Sequence, residues 1–285
     1  GYSVKVPNVS VGMVHAWNLG NPGDPPIEFN MHDTAPYAHA RGATSFITKE
    51  DMCVSGGRDS VIRIWKFDAT VNAPKGGFKL VKECCGHAGD ITGLAMSKNM
   101  LWSCSTDGTI RLWDSSANWE CKYLIAENTK GSATNPAQVP PAPQSGQPEK
   151  GVGHSKAVTA LVSFGEFILS SSLDGTVKVW NTANGECTLT TKCGGGVVSM
   201  ALSKDTKGHD LLILGSEDGT IMIRNVLPIG NTPAMHFLSS IENRRMHCGH
   251  VGAVKSIVTG PNNTFYTAGA DGKLMVWELT GDFNL

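Results

Sequence analysis

The sequence predicts an all-β protein made of repeated hairpins, and three observations carry that prediction. A phrase of ten residues, an aspartate turn followed by an alternating apolar strand, recurs five times in the 285 residues. Strands such as "TIRLW" and "TVKVW" carry bulky residues on both faces, as expected of small sheets sandwiched between neighbours. The 33 glycines and 14 prolines exceed what a helical protein tolerates.

The five copies are "GRDSVIRIWK" from residue 57, "STDGTIRLWD" from 105, "SLDGTVKVWN" from 172, "SEDGTIMIRN" from 216 and "GADGKLMVWE" from 269. In each, the aspartate precedes the tryptophan position by six: Asp59 and Trp65, Asp107 and Trp113, Asp174 and Trp180, Asp218 and Arg224, Asp271 and Trp277. The Asp-Gly pair supplies the positive φ of a tight hairpin turn, and the flanking alternation supplies two antiparallel strands.

Upstream, a histidine stands 20 residues before the aspartate at His39, His87 and His154, and 21 before it at His250. Four positions before the aspartate is a hydroxyl at Ser55, Ser103, Ser170 and Thr267, with Leu214 breaking the series in the fourth copy. These donors and acceptors can close a buried chain running from indole N–H to hydroxyl, hydroxyl to imidazole, and imidazole N–H to carboxylate.

With these positions in view, the chain resembles the WD40 family, best over "CCGHAGDITGLAMSKNMLWSCSTDGTIRLWD", residues 84–114. The resemblance implies a β-propeller in which each repeat builds one four-stranded blade. Tryptophan-position intervals of 48, 67, 44 and 53 suit one blade each. Repeats begin at about 39, 87, 154, 194 and 250, and Trp17, 48 residues before Trp65, marks the third strand of a partial blade over 1–33, with Val11 in its aspartate position. Residues 1–285 thus read as a single propeller domain with six blades visible, and we expect seven in the intact protein. The 67-residue interval contains "TKGSATNPAQVPPAPQSGQPEK", residues 129–150, read as a flexible Pro/Gln/Ser-rich insertion. A narrower resemblance, over "VPNVSVGMVHAWN" and "FILSSSLDGTVKVWN", is to the WD40 half of plant-type proteins that join CCCH zinc fingers to a propeller. Cys187 and Cys193 have one of the finger's spacings, but no third ligand follows.

Composition narrows function further. Lys+Arg 24 against Asp+Glu 25 leaves a net charge of -1 and no basic field, so direct nucleic-acid binding by this segment is not expected. No apolar run approaches the roughly 18 residues a membrane span requires, and the start carries no secretory pattern; an intracellular protein, cytoplasmic or nuclear, is expected. The 8 cysteines include no C-x-x-C pair and read as reduced thiols.

His154, Ser170 and Asp174 have the residue types of a hydrolase triad, but a nucleophile is needed once, and this set recurs with a tryptophan that completes a structural network. Cys84, Cys85 and His87, like His247, Cys248 and His250, gather metal-ligand types, yet both terminal histidines already have places in the repeat, and Cys85 and Cys248 share an apolar position before Gly-His. Arg244 and Arg245 form the most compact basic pair and read as a solvated loop. No catalytic, cofactor or metal residue is assigned. The tryptophan at 119 lies outside the repeat positions, and Arg224 is expected to pair with Asp218. Partner candidates are the residues before each turn aspartate, Arg58, Thr106, Leu173, Glu217 and Ala270, because propellers commonly bind on the face around the central channel. The expected function is a non-enzymatic protein-interaction scaffold, and the rival is an RNA-linked CCCH and WD40 protein whose finger lies outside this chain.

Overall fold

The computed structural model describes residues 12–30, 37–70, 77–127, 153–229, 232–241 and 249–280. The 129–150 insertion, His247, Cys248, Arg244, Arg245 and Val11 therefore lie outside the described residues.

The described chain is strand after strand, with a single 3-10 turn at Ser115–Ala117. An opening pair, β1 (His15–Ala16) and β2 (Ile27–Glu28), precedes five antiparallel sheets. The first holds β3 (Ala43–Lys49), β4 (Met52–Gly57), β5 (Ile62–Asp68) and β6 (Gly77–Cys84). The second holds β7 (Ile91–Ser97), β8 (Met100–Ser105), β9 (Ile110–Asp114) and β10 (Glu120–Ile125). The third follows with β11 (Val158–Phe164), β12 (Phe167–Ser172), β13 (Thr176–Asn181) and β14 (Cys187–Lys192). In the fourth are β15 (Val197–Lys204), β16 (Asp210–Ser216), β17 (Ile221–Ile229) and β18 (Thr232–Ile241). The fifth has three strands, β19 (Val254–Thr259), β20 (Thr264–Gly269) and β21 (Leu274–Glu278). Each is a meander whose strands pair in chain order, the blade pattern of a β-propeller.

The core lies between sheets rather than within any one. The first strand of each sheet packs on the inner strands of the sheet before it: β7 on β3 and β4, β11 on β7 and β8, β15 on β11 and β12, β19 on β15 and β16. Third-strand residues that point forward are buried by this stacking, as with Ile110 and Leu112 against Val158 and Leu161. Fully burying such a side chain contributes about 1.5–3 kcal/mol, so stacking rather than strand pairing supplies most of the apolar stabilisation. Hydroxyls tie the same seam: Thr44 Oγ1 donates to the Ile91 carbonyl (2.5 Å), Thr92 to that of Val158 (2.5 Å), Thr159 to that of Val197 (2.8 Å) and Ser199 to that of Val254 (2.7 Å).

At the insertion, the Gly153 N–H donates to the Ala126 carbonyl at 3.0 Å, so the chain leaves and re-enters the scaffold at one place. A Cβ on Gly153 would sit 2.5 Å from the Ala126 carbonyl carbon, which explains glycine there.

The repeated turns refine the hairpin expected from sequence. Positive φ falls on the residue after the aspartate, at Gly108 (83°), Gly175 (78°), Gly219 (90°) and Gly272 (73°), while no aspartate of the described residues has it. In the first sheet that place is held by Ser60, at φ 64°. A side chain there costs about 1–2 kcal/mol relative to glycine, partly offset by glycine's greater freedom when unfolded. Ser60→Gly is expected to raise stability in urea denaturation by up to about 1 kcal/mol.

Candidate functional site

In the second sheet, strand alternation puts Ser103 and Leu101 of β8 on one face, and register places Trp113 of β9 opposite Leu101. The indole therefore reaches the hydroxyl, and Trp113 Nε1 donates to Ser103 Oγ at 2.9 Å. The loop before β7 brings in His87, with Nε2 2.8 Å from Ser103 Oγ and Nδ1 3.0 Å from Asp107 Oδ2 in the turn. A carboxylate only accepts, so Nδ1 carries the proton, Nε2 accepts from the serine, and the serine accepts from the indole.

The third sheet repeats this geometry: His154 lies 2.9 Å from Asp174 and 2.7 Å from Ser170, and Trp180 donates to Ser170 at 2.7 Å. In the first, His39 lies 2.9 Å from Asp59 and 2.8 Å from Ser55, with Trp65 donating to Ser55 at 2.8 Å. In the fifth, His250 lies 3.0 Å from Asp271 and 2.8 Å from Thr267, whose hydroxyl accepts from Trp277 at 2.8 Å. His39 and His250 are wholly buried, as are the four hydroxyl residues.

Each aspartate also caps its loop, accepting from the backbone N–H of Ala40, Ala88, Ser155 or Val251. Burial pulls Asp59, Asp107 and Asp174 upward, but hydrogen bonds from their histidines and neighbours outweigh it and hold all three well below the usual carboxylate range. For Asp271 the Val251 N–H leads, and the pKa falls to about 2. Burial pushes His87 below its usual range, against the pull of Asp107.

Two contributors escaped the sequence reading. Thr109 donates to Asp107 (2.7 Å) and lies 3.1 Å from His87 Nδ1, and Thr176 does the same with Asp174 (2.6 Å) and His154 (3.1 Å). The repeated "DGT" was the available signal. Where the first sheet has Val61, Arg63 takes the place, donating to Asp59 at 2.7 Å and to Glu83 at 2.8 Å.

The fourth sheet lacks the network, and its arginine does not behave as expected. Arg224 forms no ion pair with Asp218; it donates to the Lys192 carbonyl at 3.1 Å on the neighbouring sheet and lies against Cys193. Asp218 instead caps its own turn at the Thr220 N–H, 3.0 Å away. Trp119, outside the repeat, is nonetheless buried with Trp113, Leu101 and Ile62, because the bend after β9 folds it under the sheet. Of the neighbouring cysteines, Cys84 packs in the core and Cys85 is exposed, so the packing role read for Cys85 belongs to Cys84. Burial lifts the Cys84 and Cys104 thiols to about 12, keeping them neutral apolar fillers. Among the described residues no three metal-ligand side chains cluster.

The residues before the turn aspartates occupy equivalent places. The backbone N–H groups of Arg58, Thr106, Leu173, Glu217 and Ala270 donate at 2.8–3.1 Å to the carbonyls of Gly42, Asp90, Ala157, Gly196 and Ala253, so five side chains are presented in register on the turn side. All but the half-buried Leu173 are exposed. On this side a cleft of about 320 Å³ opens between Thr106–Thr109 and His154–Ala157, flanked by Ala126 and Glu127.

A family model described as "WD domain, G-beta repeat" matches residues 78–114, 147–181 and 242–278. The chain thus carries matches to WD40 repeats in three places, within stacked sheets of the β-propeller pattern. Among curated relatives, the rice (Oryza sativa subsp. japonica) ribosome biogenesis protein WDR12 homolog is 26% identical over 85% of this chain and 56% of its own length. Human (Homo sapiens) striatin-4 is 25% identical over 97% of this chain and 33% of its own. The chain thus spans about half or less of the length of these relatives. The crystal structure of the computationally designed Ika8 protein superposes with a TM-score of 0.61 at 23% identity, over 94% of this chain and 66% of that one, and shares the fold.

Trp113→Phe keeps most of the packing but strips Ser103 of its indole donor, an expected loss of about 1–3 kcal/mol. Trp113→Ala is expected to cost about 3–5 kcal/mol and to exceed Trp119→Ala, which empties space without breaking a network. Urea denaturation of the three variants measures both differences.

Acid acts through the same groups. A histidine held neutral by the fold stabilises above its unfolded pKa of about 6.5 and loses that contribution as pH falls. Depressed carboxylates stabilise above about 3.9 and lose their contribution as pH falls toward their folded values. Stability in urea is therefore expected to decline from about pH 6.5, through His87, and more steeply below about pH 4, through the four aspartates.

Proposed function

We propose that this chain is a rigid protein-interaction scaffold that performs no chemistry of its own, and that partners bind its turn-side face. One observation carries the reading: the side chains resembling a hydrolase triad are consumed in structural networks. Ser170 is wholly buried, accepts from Trp180 and donates to His154, so its hydroxyl is out of reach of a substrate. The relatives support assembly work, since one is named for ribosome biogenesis.

The turn-side face varies while its scaffold repeats. Arg58, 66% exposed, lies 3.9 Å from Asp90, Thr106 and Glu217 stand on the sheets either side of Leu173, and Ala270 stands one sheet beyond Glu217. This mixture fits a peptide with an acidic group toward Arg58 and an apolar contact at Leu173. The expected setting is intracellular.

The test is quantitative affinity purification from the native source with the intact chain, its Arg58→Glu/Glu217→Arg variant and a Ser170→Ala variant. The charge-reversed chain is expected to lose its partners with unchanged thermal melting, and Ser170→Ala to melt lower. Partners retained by the charge-reversed chain would place binding elsewhere, and turnover abolished by Ser170→Ala without loss of stability would overturn the scaffold reading.

A further inference from the structure

The fourth sheet lacks the quartet, but its places are occupied, and two of the occupants meet. Cys193 stands four residues before the first paired residue of β15, Val197, just as His87 stands before Ile91, His154 before Val158 and His250 before Val254. Arg224 takes the tryptophan's place, opposite Leu212 in register as Trp113 is opposite Leu101. Leu214, wholly buried, replaces the hydroxyl that joins the two in the other sheets. With no hydroxyl between them, the Arg224 guanidinium reaches the Cys193 thiol directly.

That contact leaves the guanidinium short of acceptors. Arg224 is 8% exposed, its Nη2 donates to the Lys192 carbonyl at 3.1 Å, and its Nε is buried with no partner among the described residues. A thiol sulfur is a weak acceptor, and a buried charged donor left unmatched is destabilising. The sulfur is also approachable. Cys193 is half-buried, its thiol faces the Thr191 carbonyl at 3.9 Å, and the next two residues, Gly194 and Gly195, are exposed and border open space. Burial pushes the Cys193 thiol above its ordinary value while the guanidinium pulls against it, so the resting sulfur is a neutral thiol. An acid formed at this sulfur would ionise, and the pull of Arg224 on such a charge outweighs the opposing charge of Asp174.

We propose that Cys193 is a site of oxidative modification, at which a hydroperoxide converts the thiol to a sulfinate held by the Arg224 guanidinium. In the first step the sulfur attacks one peroxide oxygen. The S–O bond forms as the O–O bond breaks, the thiol proton leaves with the departing oxygen, and sulfur is oxidised while the peroxide is reduced to water or an alcohol. The sulfenic acid so formed attacks a second equivalent in the same way. One thiol and two hydroperoxides thus give one sulfinate, one proton and two molecules of water or alcohol. The added oxygens grow from the atom that already meets the guanidinium, and they supply the acceptor that Nε lacks in a charge-assisted hydrogen bond. This is a modification of the chain rather than a turnover, and it does not depend on the turn-side reading.

The test treats the intact chain, its Arg224→Met variant and its Cys193→Ser variant with hydrogen peroxide and reads oxygen addition at each cysteine by peptide mass mapping. Cys193 is expected to gain two oxygens ahead of Cys187, which is equally half-buried, and Arg224→Met to slow that gain roughly tenfold. Because Arg224→Met also removes the bond to the Lys192 carbonyl, melting of the intact chain supplies a second readout. Peroxide is expected to shift the parent's melting temperature upward relative to its effect on Cys193→Ser, by about 2–4 °C, as Nε gains its partner. Oxidation of Cys193 no faster than that of Cys187 would overturn the proposal, as would undiminished oxidation in a folded Arg224→Met chain. A peroxide shift in the parent equal to or below that in Cys193→Ser would overturn it as well. The turn-side reading is judged by Arg58 and Glu217 alone, so failure of one leaves the other standing.

Discussion

The rest of the structure depends on an imidazole that bonds through both nitrogens. A buried histidine is costly unless each ring nitrogen has a partner, and here one side is met by a turn aspartate and the other by a hydroxyl that an indole already engages. Because the loop, the turn and two strands each supply one group, the network can form only when all four are in register. It converts a weak local preference for a hairpin into a fixed position for the segment joining one sheet to the next.

Apolar stacking and polar fastening divide the labour. The fourth sheet shows what happens without the quartet: Leu211, Leu212, Ile213 and Leu214 are still wholly buried, held by the sheets on either side. Stacking alone thus suffices to hold a sheet flanked on both faces. The fifth sheet shows the converse, with its quartet intact while no following sheet stacks on it among the described residues. Fastening orders a sheet's own loop and turn without requiring the next sheet to be present.

Much of this was legible in the sequence because the repeat is periodic. The Asp-to-Trp spacing of six and the histidine 20 or 21 residues upstream predict partners that the structure brings within 3.0 Å. What periodicity could not reveal were departures fixed by three-dimensional context. Trp119 lies off the repeat and looked peripheral, but a left-handed pair of residues, Asn118 and Trp119, folds it inward. Arg224 has a carboxylate six residues away in sequence, yet the strand directs it to the neighbouring sheet's carbonyl. Cys84 and Cys85 are indistinguishable by type, and only strand alternation decides which is buried. Leu274 and Val276 match their buried counterparts in character; what leaves them exposed is the lack of a following sheet among the described residues.

The hydrogen bond from Gly153 to Ala126 bears on how such a chain can change over time. Since the scaffold itself clamps the two ends of the excursion between them, lengthening or shortening it alters only a logarithmic entropy, about 0.6 kcal/mol for each doubling. Selection on that segment is thereby uncoupled from selection on the blades, and new sequence can be tried there at almost no thermodynamic risk to the stacked sheets.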